Sequence, residues 1–194
     1  MKQNRIISCV VLLFVLLLLA GCTPEGKPVM LPFEEPVEML FSSGAGAWGT
    51  SLVLEPDGAF TGGFHDSNMG EQGDEYPNGT VYLCEFSGHF AGIEKLDEYR
   101  YRMTLDELVV EQPEQEEWIE DGIRYVDADA YGMTGGEEFI LYLPETPVAE
   151  LDEMFLNWWP LMYPEEMRPD TLSCYGLRNV ATADGFFTYD FLDN

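Results

Sequence analysis

Between residues 98 and 110 apolar and polar side chains alternate one for one: Tyr99, Tyr101, Met103 and Leu105 against Arg100, Arg102, Thr104 and Asp106. A period of two sends successive side chains to opposite faces, so this stretch predicts a β-strand with one dry and one wet face. Similar runs at 48–54 and 59–64 flank Glu55-Pro56-Asp57-Gly58. There proline presets one dihedral and glycine accepts a positive φ, which predicts a hairpin. A second turn, Tyr76-Pro77-Asn78-Gly79, leads into a strand over 80–86 that can run on through Gly88-His89-Phe90. Further strand-like runs occupy 123–128, 138–143, 171–178 and 186–191.

One stretch changes period. Val148, Leu151, Met154, Phe155 and Trp158 recur at helical spacing behind Thr146 and Pro147, and Pro160 and Pro164 end the pattern. Threonine can cap a helix, and proline suits its first position because the missing N–H would have no partner there. About eight short strands and one late α-helix predict a mainly β fold, an antiparallel barrel or sandwich. Closing a barrel removes exposed edges, and eight strands leave an interior that side chains fill or that holds one small ligand.

The first residues follow another logic. Lys2 and Arg5 precede an apolar run over 6–19, which ends in Leu19-Ala20-Gly21-Cys22. This is the build of a secretory signal, and the run falls short of the roughly 20 apolar residues that span a bilayer. Leu-Ala-Gly-Cys resembles the lipobox of bacterial lipoproteins. The resemblance implies cleavage after residue 21, a lipid on the Cys22 thiol, and a chain held on the cell membrane facing outside the cytoplasm. Residues 22–44, rich in proline and glutamate, then read as a flexible tether with a short turn at 37–41, and 45–194 as the barrel domain.

Without residues 1–21 the chain keeps 7 basic against 36 acidic residues, a formal charge of −29. Such a surface repels nucleic acid and favours cations. High charge alone suggests disorder, but 46% hydrophobic and 13% aromatic residues supply a core. Outside the cytoplasm Cys84 and Cys174 can form a disulfide, or remain two separate buried thiols.

At Gly46-Ala47-Trp48 the chain resembles the Gly-x-Trp opening of lipocalins and their calycin relatives. That likeness implies a lipocalin-like barrel with Trp48 closing one end. A closer likeness is to lipocalin-like lipoproteins of gut-dwelling Gram-positive anaerobes. It rests on the lipobox and on Gly46 to Thr50, Tyr76 to Thr80, Tyr142 to Pro147 and Tyr175 to Asn179, in that order. The resemblance implies a location, not an activity.

Asp127, Asp129, Gly132 and Glu138 approach the spacing of a calcium-binding EF-hand loop, with Tyr131 where an oxygen ligand belongs. The alternative is an acidic hairpin loop. Asp66, Glu71, Asp74 and Glu75 form a second acidic stretch behind His65. No nucleophile elbow or metalloprotease motif accompanies His65 or His89, so no enzyme is expected. Trp158, Trp159 and Tyr163 can cover a barrel mouth or pack the helix onto the barrel.

Two functional expectations follow. The first is a non-enzymatic binding module for a small amphiphile, its candidate lining being Trp48, Tyr101, Met103 and Trp158. The second is a filled barrel whose acidic loops meet a cationic partner or divalent cations such as Ca2+. A hollow interior favours the first, and a packed one favours the second.

Overall fold

The computed structural model describes residues 29–111, 116–159 and 168–188. The leader with Cys22, the helix stops Pro160 and Pro164, Tyr163, and the last strand beyond Thr188 lie outside them.

Eight strands close an antiparallel barrel in simple chain order. They are β1 (Val37–Phe41), β2 (Trp48–Leu54), β3 (Ala59–Asn68), β4 (Thr80–Lys95), β5 (Arg100–Glu111), β8 (Glu138–Tyr142), β9 (Gly176–Asn179) and β10 (Gly185–Phe187). Each pairs with its neighbour, and β10 returns to β1 at Leu40 and Phe187. Between β5 and β8 the chain inserts a hairpin, β6 (Glu117–Glu120) and β7 (Ile123–Asp127). It adds to the sheet by running β7 parallel to the start of β4.

The alternation in β5 is real but interrupted. Tyr101 and Met103 face inward opposite β8, and Leu105 pairs with Phe90. The pairing then slips by one, His89 meeting Glu107, so Asp106 is the extra residue of a β-bulge and Leu108 and Val110 take the inward face.

Three expectations need correction. Residues 37–41 are not the tail of a tether but strand β1, with Met39 and Phe41 buried against the other strands. Even Leu31, further upstream, is 3% exposed and belongs to the barrel core. The late helix is shorter and broken: Val148–Glu150 is a single 3-10 turn, Leu151 is extended, and α1 covers only Glu153–Leu156. Asp152 accepts the Met154 N–H at 2.8 Å and so caps α1, whereas the Thr146 hydroxyl turns back to the Leu143 carbonyl. Finally, Thr171 forms only an isolated bridge to Pro147, and β9 does not start until Gly176.

Two apolar clusters result. One fills the barrel; the other lies outside it, where Phe155 of α1 stacks on Phe187 at 4.8 Å and covers β9 and β10.

Candidate functional site

The barrel interior is solid along its middle. Phe90, Met103, Phe139, Leu141 and Leu177 show 0% exposure. Zero accessible area excludes a water-sized space on either side of a residue, so no ligand cavity touches these five. Tight packing across β3 and β4 explains it. Phe60 pairs with Gly88 and Gly62 with Phe86, so each ring lies over the glycine of the opposite strand. A Cβ on Gly88 would sit 2.4 Å from Phe60 and 2.2 Å from the Glu107 carbonyl oxygen; one on Gly62 would sit 2.4 Å from Phe86. Of the expected lining, Met103 is therefore packed core, and Tyr101 is 7% exposed with the Lys95 ammonium 5.7 Å above its ring.

Trp48 and Trp158 come together at one rim. Trp48 meets Phe41 at 5.1 Å, Tyr131 at 5.3 Å and Trp158 at 6.1 Å, all edge-on. The segment 128–137 crosses this end as a plug. Its Ala130 and Met133 are fully buried; the Thr50 hydroxyl donates to the Tyr131 carbonyl at 2.9 Å and the Asn179 amide to the Gly132 carbonyl at 3.0 Å. Both donors are themselves buried polar groups, so the plug satisfies them. Gly132 has φ +87°, and Phe41 and Phe186 lie within 3 Å of the place a side chain would need.

The residues with EF-hand-like spacing belong to this plug and its flanking strands. Asp127 ends β7 opposite Leu83, Glu138 opens β8 opposite Thr104, and the residues between them close the barrel. Among the described residues no three His, Cys, Asp or Glu side chains are placed to hold a metal ion. In the second acidic loop Glu71 is engaged by Arg124 and accepts from the Tyr82 hydroxyl at 2.8 Å, while Arg124 stacks on Tyr76. The Glu71 carboxylate raises the Tyr82 phenol above its usual range. His65 pairs with Leu83 and His89 with Ala59. They are six residues apart along the β3–β4 ladder, about 20 Å.

Cys84 and Cys174 do not form a disulfide with each other. Cys84 faces the barrel core from β4, and Cys174 packs in the cluster beneath α1. Burial first, then the charges of Asp127, Asp129 and Glu85, push the Cys84 thiol up to about 11. The folded state thus holds this proton more tightly than the unfolded chain. Its contribution to stability is full below the unfolded thiol's value and is lost as pH rises towards 11. We expect Cys84 to resist iodoacetamide at neutral pH in the native protein and to react once urea unfolds it, as read by peptide mass spectrometry. Rapid native labelling at neutral pH would contradict this burial.

A groove lies on the barrel's outer wall, formed by residues that no sequence motif brings together. Ser51, Gly63, Glu85 and Glu111 stand side by side in one row across β2, β3, β4 and β5. Gly63 supplies no side chain, so the row dips into a groove of about 420 Å³, flanked by His65 and Leu83 on one side and Thr61 and Ser87 on the other. The Glu85 carboxylate reaches back over this floor, 3.0 Å from where a Gly63 Cβ would be. Glu85 and Glu111 are directly opposed, and like charges in that position are unfavourable. Every described lysine and arginine is engaged elsewhere: Arg100 with Asp97, Arg102 with Glu94, Arg124 with Glu71, Arg168 with Glu153, Arg178 with Asp152, and Lys95 on Tyr101. A signal was present in the double glycine inside a strand, which marks missing side chains.

Comparison with protein-family models, with curated proteins and with solved structures gives no match.

Proposed function

We propose that the chain is a lipid-anchored, extracytoplasmic interaction module that is not an enzyme. Its filled barrel is a scaffold, and its outer groove takes a cationic group such as the ammonium or guanidinium of a basic peptide. The lipobox ending at Cys22 supports the location. The up-and-down strand order and Trp48 at a plugged end support kinship with lipocalin-like lipoproteins. The observation that carries the binding reading is the opposed Glu85 and Glu111 pair in a groove to which no described lysine or arginine contributes. A cation between them relieves their repulsion, and the hydroxyls of Ser51, Thr61 and Ser87 can accept its remaining hydrogens.

Calorimetric titration with trilysine, against triglutamate as control, tests this. Binding should be weak, since both carboxylates are exposed, and should vanish at high salt. The double variant Glu85→Gln, Glu111→Gln should lose most of the heat while melting slightly higher, because the like-charge pair is gone. Equal binding by the variant sinks the proposal. Heat from calcium alone would shift it to the divalent-cation form.

The amphiphile reading retains one supporting observation. Tyr131 is 44% exposed, and Trp48 and Trp158 beside it are half-buried, so the rim offers aromatic surface. Saturable quenching of tryptophan fluorescence by a fatty acid would favour it.

A further inference from the structure

Resting on the cation-groove reading, we infer that the free edge of β5 over 106–111 accepts a basic peptide as an added antiparallel strand. One lysine or arginine of that peptide then enters the groove beside Glu111.

The register leaves this edge open. β8 pairs with β5 only from Arg100 to Thr104, and the Leu105 N–H goes to the Glu137 carbonyl. Beyond the bulge, β5 keeps a single neighbour among the described residues, β4. In an antiparallel pair the backbone groups of alternate residues turn to opposite sides. On β4 the Leu83 carbonyl faces the side of β7 and β5, where it accepts from the Ala128 N–H, whereas the Phe90 N–H faces the side of β3 and donates to the Gly58 carbonyl. Glu85, Ser87 and His89 therefore bond to Glu111, Val109 and Glu107 across the ladder. The N–H and C=O groups of Leu108 and Val110 point away from β4, and among the described residues no group bonds them. Unpaired groups in a row are a template for another strand.

Side chains select which strand. Glu107, Val109 and Glu111 stand outward along this edge, all exposed, Val109 at 47%. Residues directly opposite them on an added strand are favoured in the pattern basic, apolar, basic. The one opposite Glu111 extends the row of Ser51, Gly63, Glu85 and Glu111, and so meets the carboxylates of the groove. No described lysine or arginine fills that place. A second copy of the chain is disfavoured, because antiparallel pairing about Val109 would set Glu107 against Glu111 at both ends.

The test is calorimetry on the full-length protein with capped Lys-Thr-Val-Thr-Lys, the same peptide N-methylated at both threonines, and trilysine. The threonine amides are those that would meet Val110 and Leu108, so methylation removes the donors and keeps the charges. The unmethylated peptide should bind about ten-fold more tightly than the methylated one, the worth of one or two backbone hydrogen bonds. At saturation it should also slow amide hydrogen exchange at Leu108 and Val110, as read by NMR. If the two pentapeptides bind alike and neither protects those amides, strand addition is overturned while the groove reading stands. If no lysine peptide binds, the cation reading fails and the added strand falls with it. Equal binding of Glu-Thr-Val-Thr-Glu would overturn the choice of a basic partner.

Discussion

Replacing Phe90 with alanine will lower the unfolding free energy by about 3–5 kcal/mol, the usual cost of emptying a buried phenylalanine site. Phe90 has no exposed surface, and its ring lies 4.8 Å from Phe60 and 4.9 Å from Phe139, so three strands lose a shared contact at once. Its backbone N–H is also bonded to the Gly58 carbonyl, which keeps the strand from sliding in to fill the space. Urea denaturation reads the loss directly. The cavity left behind should admit a small apolar guest such as benzene that the wild type rejects. If the wild-type interior were already hollow, the ring would contribute far less, and a loss below about 1 kcal/mol would contradict a packed barrel.

Gly88→Ala is expected to approach that effect with the smallest side chain available. The new methyl group would sit 2.2 Å from the Glu107 carbonyl oxygen and 2.4 Å from the Phe60 ring. The ring can move only by leaving the interior, and the carbonyl belongs to the β4–β5 ladder. The cost should stand at or above about 3 kcal/mol, the upper end for overpacked cores. A thermal melt unchanged within error would mean that Phe60 has another place to go. Both substitutions probe one idea: the barrel is filled because glycines on β3 and β4 make room for rings from the opposite strand.

Much of this barrel is visible in the residues. Strands β2, β4 and β5 are long enough to alternate clearly, and the Pro56–Gly58 turn marks the hairpin from β2 to β3. β1 alternates as well, with Met39 and Phe41 inward, but four prolines and several glutamates around it make the region resemble a tether. β6 has only four residues, too few for a period to register. The stretch from Asp127 to Glu138 looks like an ion loop because its carboxylates dominate the spacing; its structural content lies in Ala130 and Met133, which read as neutral. α1 is cut short by Asp152, whose side chain competes for a backbone N–H in the middle of a helical pattern.

The groove was not legible for a different reason. Ser51, Gly63, Glu85 and Glu111 lie far apart in the chain and become neighbours only through the register of four strands. A shift of one residue in any pairing would turn one of them inward. Trp48 fared better, because a motif of three residues already implied a barrel end, and the rim is where it lies.

The central claim, that ligand chemistry belongs to the outer wall and not to the interior, is tested most directly by an amide NMR titration with trilysine. Saturable shifts should gather at Ser51, Gly63, Glu85 and Glu111, disappear in the Glu85→Gln, Glu111→Gln variant, and leave Phe90, Met103 and Leu141 unmoved. Shifts centred on those three interior residues with a fatty acid, and none with trilysine, would contradict the account.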